Sequence, residues 1–135
     1  MPIQAVAAKG VTGQIELDPA YQLGLQDIEG FSHLILLYHL HLVQQPSLVV
    51  TPFLDVQPHG IFATRSPKRP NPIGLSIVRL VRVDGVTLHI EEIDVVDGTP
   101  LLDLKPYVPT FDVREAAKIG WFEKNIDQVY HVRAD

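Results

Sequence analysis

Cysteine is absent from this chain, which excludes a disulfide framework, a cysteine nucleophile and a thiolate-bound metal. A reducing cytosol fits that composition, and a cytoplasmic location is expected. Methionine and tryptophan occur once each. Basic residues are outnumbered, 11 against 16 acidic, and the net charge is −5. That excludes nucleic-acid binding by overall charge but leaves room for a local basic site. No apolar run approaches the roughly 20 residues of a membrane helix. Met1-Pro2-Ile3-Gln4 has neither the basic nor the apolar region of a signal peptide, so none is expected. The phosphate-binding G-x-x-x-x-G-K-[ST], the dinucleotide G-x-G-x-x-G and the nucleophile elbow G-x-S-x-G are all missing.

What is present describes one globular domain over residues 1–135, with 46% hydrophobic and 20% charged residues. Such a chain buries about two-thirds of its unfolded surface. Val11, Ile15 and Leu17 alternate with Thr12, Gln14 and Glu16, the period of a half-buried strand. Leu34 to Leu42 is apolar on both faces, as in a central strand, and Leu48 to Phe53 is a brief extended piece. Between Gly60 and Gly74, Pro67, Pro70 and Pro72 forbid helix and central strand, leaving an ordered, turn-rich loop. Leu75 to Val83 reads as a strand, Asp84-Gly85 as a hairpin turn, and Val86 to Glu91 as the return strand. Asp97-Gly98 is a second turn, and Leu101 to Lys105 a short strand. Asp112 and Glu115 have capping-box spacing, which predicts a helix over Val113–Ile119 stopped by Gly120. Trp121 to Asp127 starts a second short helix, and Val129 to Arg133 a last strand. The sum is a mainly β fold: a small single-domain β-barrel with one or two short C-terminal helices.

Chemistry concentrates in few places. From Gly60 to Arg82 there are five basic residues (Arg65, Lys68, Arg69, Arg79, Arg82) and no acidic one. Guanidinium groups bind carboxylate or phosphate in paired hydrogen bonds, and prolines stiffen the loop that carries them. An anion or nucleic-acid site and a polar rim both fit this pattern. His39 and His41 share a face if both lie on a strand, but no third metal ligand is spaced to join them, and no metal is expected. Asp94, Asp97 and Asp103 cluster around Gly98-Thr99-Pro100. Asp94 reads as a turn residue, while Asp97 and Asp103 are open to acid–base work.

Four segments carry a resemblance: Phe31-Ser32-His33, Tyr38 to His41, Gly60 to Ser76 with its A-T-R-S-P-K-R-P-N-P-I-G core, and Asp94 to Tyr107 with D-G-T-P-L-L-D-L-K-P-Y. Through them the chain resembles the TsaA-like family, that of tRNA methyltransferase O, over about Pro2 to Ile126. The resemblance implies a small β-barrel, a homodimer and S-adenosyl-L-methionine as cofactor. It implies methylation of N6 of threonylcarbamoyladenosine beside the tRNA anticodon. A non-catalytic module of the same fold, binding S-adenosyl-L-methionine or an anion, is the alternative. Carried over by motif, the donor site comprises Gln4, His41, Leu42, Arg65, Leu75, Asp97, Gly98, Thr99 and Pro100. Lys68, Arg69 and Asn71 are assigned to tRNA, and Asp103 is the candidate base by its place in a matched motif. On this assignment, Arg69→Ala should weaken tRNA binding and spare the donor. Family members usually begin with a further strand reading roughly I-G-x-I-x-S-P, which does not precede Pro2-Ile3-Gln4 here, so either a shortened form or a start assigned late is expected. Some members carry a C-terminal extension that helps hold tRNA, and without one after Asp135 a weak grip on tRNA, or one that needs a partner, is expected.

Overall fold

The computed structural model describes residues 12–53 and 55–124. Gln4 and the expected strand at Val129–Arg133 lie outside the described residues. Among the described residues seven strands follow in chain order: β1 (Thr12–Glu16), β2 (His33–His39), β3 (Val49–Val50), β4 (His59–Gly60), β5 (Ile73–Asp84), β6 (Thr87–Glu91) and β7 (Leu101–Pro106). Five of them form one antiparallel sheet in the order β1-β6-β5-β2-β7, and β3 pairs with β4 in a small second sheet.

Alternation in the sequence becomes alternation in burial. Leu34, Leu36 and Tyr38 of β2 face the core with Val78 of β5 and Leu88 and Ile90 of β6, and Ile15 of β1 joins them. The two-residue turn Gly85–Val86 joins β5 to β6, with Asp84 opposite Thr87. β2 is an interior strand, flanked by β5 and β7. The other face of β2 and β5 carries Leu37 opposite Leu75 and Ile35 opposite Ile77, so a second apolar stripe lies on the sheet's outer side.

Two expectations are corrected. Among the described residues the sheet is open, with β1 and β7 at its ends and three strands between them, so these strands close no barrel. Nor does a helix run over Val113–Ile119. Among the described residues the single short α-helix, α1, is Pro109–Asp112, one turn earlier. Asp112 does not start a helix because its carboxylate reaches back to accept from the Val108 amide at 2.8 Å. The Arg114 guanidinium donates to the carbonyls of Phe111 and Val113, at 2.7 and 3.0 Å, which a continuing helix would need for its own ladder. A 3-10 turn at Gly120–Lys124 stands where a second short helix is expected.

Candidate functional site

The three chemistry-bearing segments meet at the end of β2. The His39 amide donates to Pro100 O at 2.9 Å, and the Leu40 amide to Pro72 O at 2.7 Å. One strand end therefore ties the D-G-T-P turn to the proline-rich loop. The turn itself needs Gly98, whose φ is 84°, in the left-handed region that side chains resist. It is closed by the Thr99 amide and hydroxyl, both donating to Val96 O.

Below this junction opens a cleft of about 1010 Å³. His41, Leu42, Arg65, Leu75 and Thr99 line it, as does Arg69. Asp97, Gly98 and Pro100 flank Thr99 without lining the cleft, and Lys68 and Asn71 sit on the exposed part of the loop. β2 ends at His39, so His41 falls in the turn beyond it, and the two histidines share no strand face.

Asp103 is placed elsewhere. It stands opposite Leu37, on the outer face of the sheet, because it alternates with Leu104, which packs against the core; the register of β7 against β2 shifts only beyond this pair, between Leu37 and Tyr38. Its carboxylate pairs with Lys105 at 2.8 Å with nearly half of the side chain exposed. The hydrogen bond from Lys105, with that from the Leu104 amide, holds its pKa below the usual carboxylate range. A carboxylate so stabilised outside the cleft is a poor base for it.

The carboxylates in the cleft are Asp94 and Glu92. Ser76, buried on β5, donates to Asp94 Oδ1 at 3.3 Å and shares a 2.8 Å hydrogen bond with the Tyr38 hydroxyl. Burial raises the Tyr38 pKa, the Asp94 charge adds to the rise, and the Ser76 hydrogen bond and Arg65 oppose it. Tyr38 thus stays a neutral hydrogen-bonding group at physiological pH. It reaches this place only because Gly74 lies beneath it: a Cβ there would sit 2.2 Å from the ring. Tyr38 and Ser76 stand at the ends of two matched segments, but their contact across 38 residues is set by strand register and has no sequence signature of its own.

The loop wall has its own bracing. One nitrogen of the Arg69 guanidinium, Nη1, donates to Thr64 O at 2.7 Å and Ile61 O at 3.1 Å, with Ser66 O at 3.4 Å. Its guanidinium carbon lies 5.7 Å from the Phe62 ring centroid. Thr64, buried, donates to Ile61 O and accepts from the Ser66 amide. Arg69 is therefore a brace inside the loop, whereas Arg65 is exposed and lines the cleft.

The pattern of this loop and turn recurs in known proteins. Residues 1–113 match the model of the tRNA-methyltransferase O N-terminal domain. The chain belongs to this family. A probable S-adenosyl-L-methionine-binding protein of Pyrococcus abyssi is 54% identical over 135 residues, covering all of this chain and 73% of that protein. A mouse tRNA (adenine(37)-N6)-methyltransferase is 40% identical over 91 residues, which are 65% of this chain and 21% of that protein. The crystal structure of TrmO from Pseudomonas aeruginosa superposes with a TM-score of 0.72 at 37% identity, covering 89% of this chain. The chain spans about half (53%) of that structure.

Proposed function

We propose that the chain is an S-adenosyl-L-methionine-dependent methyltransferase acting on N6 of threonylcarbamoyladenosine in tRNA, and that the cleft is its donor and acceptor site. The carrying observation is the convergence of Arg65, Thr99, His41 and the carboxylates Asp94 and Glu92 on one cleft. Its about 1010 Å³ reaches the top of the range for a single small-molecule site, roughly 300–1,000 Å³, which suits a donor together with an acceptor base.

The donor fits the residues present. It carries a carboxylate, an ammonium and a sulfonium, and the cleft offers one exposed guanidinium and two carboxylates beside the apolar Leu42, Leu75 and Val95. Arg65 would hold the donor's carboxylate, with Thr99 and the Asp97–Pro100 turn beside it, and Gln4 would complete the set. When bound, the donor supplies a methyl group already activated by the sulfonium. The protein's work is then alignment, which can lower a barrier by several kcal/mol, about 7 in well-oriented cases. Asp94 takes the role that motif position alone would give Asp103. It would accept the N6 proton of the acceptor while Ser76 holds its other hydrogen bond and Tyr38 orients Ser76.

Lys68 and Asn71, exposed on the loop, would meet the tRNA backbone, where binding should weaken with salt. The anticodon loop is single-stranded and offers its bases without duplex opening. The exposed Ile73, Leu75 and Ile77 of β5 also line the cleft, so a homodimer formed over them would place its interface at the edge of the site. tRNA, the second partner, sets the proposed location in the cytoplasm.

The test is methyl transfer from labelled donor to tRNA carrying the threonylcarbamoyl group, with tRNA lacking it as the control. Transfer to the first alone is expected. Donor binding without transfer to either would favour the non-catalytic module.

A further inference from the structure

We propose that Trp121 latches the Ile61–Asn71 loop and is a positioning residue for Arg65. It lies beyond residues 1–113 that the family model accounts for. The inference rests on Arg65 being a donor contact.

Trp121 sits in the 3-10 turn Gly120–Lys124 and reaches back across 58 residues. Its indole Nε1 donates to Ala63 O at 2.7 Å. Its ring stacks on His59, with centroids 4.7 Å apart and planes 13° from parallel, and on Phe122 at 4.0 Å. His59 is in turn fixed by Asp55, with Nε2 and Oδ2 2.8 Å apart. Ala63 ends the 3-10 turn Ile61–Ala63, two positions before Arg65. The carbonyls of Ile61 and Thr64 are taken by Arg69 from within the loop. The Ala63 carbonyl between them is taken by Trp121 from outside. Three of the four carbonyls from Ile61 to Thr64 are thus held from two directions.

A loop pinned this way is ordered before it binds. Without the pin, ordering it would be subtracted from the binding free energy of any ligand that Arg65 holds. The hydrogen bond to Ala63 O and the stack on His59 both act on the segment that leads into Arg65, so they reach the site through the loop.

Two variants separate the parts of the latch. Trp121→Phe keeps a ring to stack on His59 and removes the N–H. Trp121→Ala removes both. Limited trypsin digestion of the free protein reads loop order directly, because Arg65 and Lys68 are followed by residues that permit cleavage. Calorimetric titration with S-adenosyl-L-methionine reads the site, and the melting midpoint reads global folding. The expected result is faster nicking after Arg65 and Lys68 in both variants. Donor affinity should fall about fivefold in Trp121→Phe and about tenfold in Trp121→Ala, with the midpoint of Trp121→Phe within a few degrees of the unchanged protein. In turnover, the loss should appear as a raised KM for donor with kcat kept at saturation. Unchanged nicking in a folded Trp121→Phe variant overturns the latch. Faster nicking with unchanged donor affinity overturns the positioning role. If the unsubstituted protein binds no donor, the functional reading fails, and the latch is judged on nicking alone.

Discussion

The two walls of the cleft are built by different physics. The sheet wall, Tyr38 and Ser76 on β2 and β5, is held by strand ladders and stands on a core of fully buried Leu34, Val78 and Leu88. The loop wall, Ile61 to Pro72, has little regular structure beyond one 3-10 turn, and its shape depends on a few side-chain hydrogen bonds to carbonyls. Damage to the first wall should appear as lost stability of the whole domain. Damage to the second should appear in the site while the domain stays folded. The wall that carries Arg65 is therefore the less stable of the two, which is common for binding loops on a rigid scaffold.

The largest effect should come from Gly74→Ala, which forces a methyl into the Tyr38 ring. A loss of about 2 kcal/mol is expected from overpacking, measured by denaturant unfolding, together with loss of the Tyr38–Ser76 hydrogen bond. A stability unchanged within error would show that the sheet wall is softer than described. Arg69→Ala should lower stability less, about 1 kcal/mol, since the guanidinium is only partly buried. Its larger effect should be local. Donor and tRNA binding should fall together, because Arg69 braces the loop that presents Arg65, in contrast to the separation its motif position suggests. Loss of tRNA binding alone would return Arg69 to a phosphate contact. The smallest effect concerns Asp55, whose pKa is lowered mainly by the hydrogen bond with His59 and further by the amides of Val56 and Gln57. A depressed carboxylate pKa stabilises the fold above the unfolded-state value near 4 and loses that contribution as pH falls through the folded-state value. Stability profiles of the unsubstituted protein and Asp55→Asn should accordingly converge below about pH 4 and separate above it. Parallel profiles throughout would mean that the charge of Asp55 contributes nothing there.

How much of this was readable beforehand follows the same division. β2, β5 and β6 were plain in the sequence because burial on one or both faces imposes alternation or a continuous apolar run. Proline spacing marked the loop, and Asp97-Gly98 marked the turn. Arg65, His41, Leu42, Leu75 and Thr99, which motif likeness groups together, line one cleft in the structure. Motif position alone points to Asp103, whereas alternation with the half-buried Leu104 turns its side chain to the outer face, away from the cleft lining. Tyr38, Ser76 and Asp94 stand in the matched segments without a site role there, because their contact depends on strand pairing. The capping-box spacing of Asp112 and Glu115 misled for a local reason: Val108 and Arg114 hold the groups that would have built the helix.

The central claim is that the cleft binds S-adenosyl-L-methionine through Arg65. Calorimetric titration of the unsubstituted protein and Arg65→Ala tests it most directly. The account predicts saturable binding that the substitution weakens by about tenfold or more, the worth of a charge-assisted pair, with the melting midpoint unchanged. No saturation at millimolar donor, or equal affinity in both proteins, would contradict it.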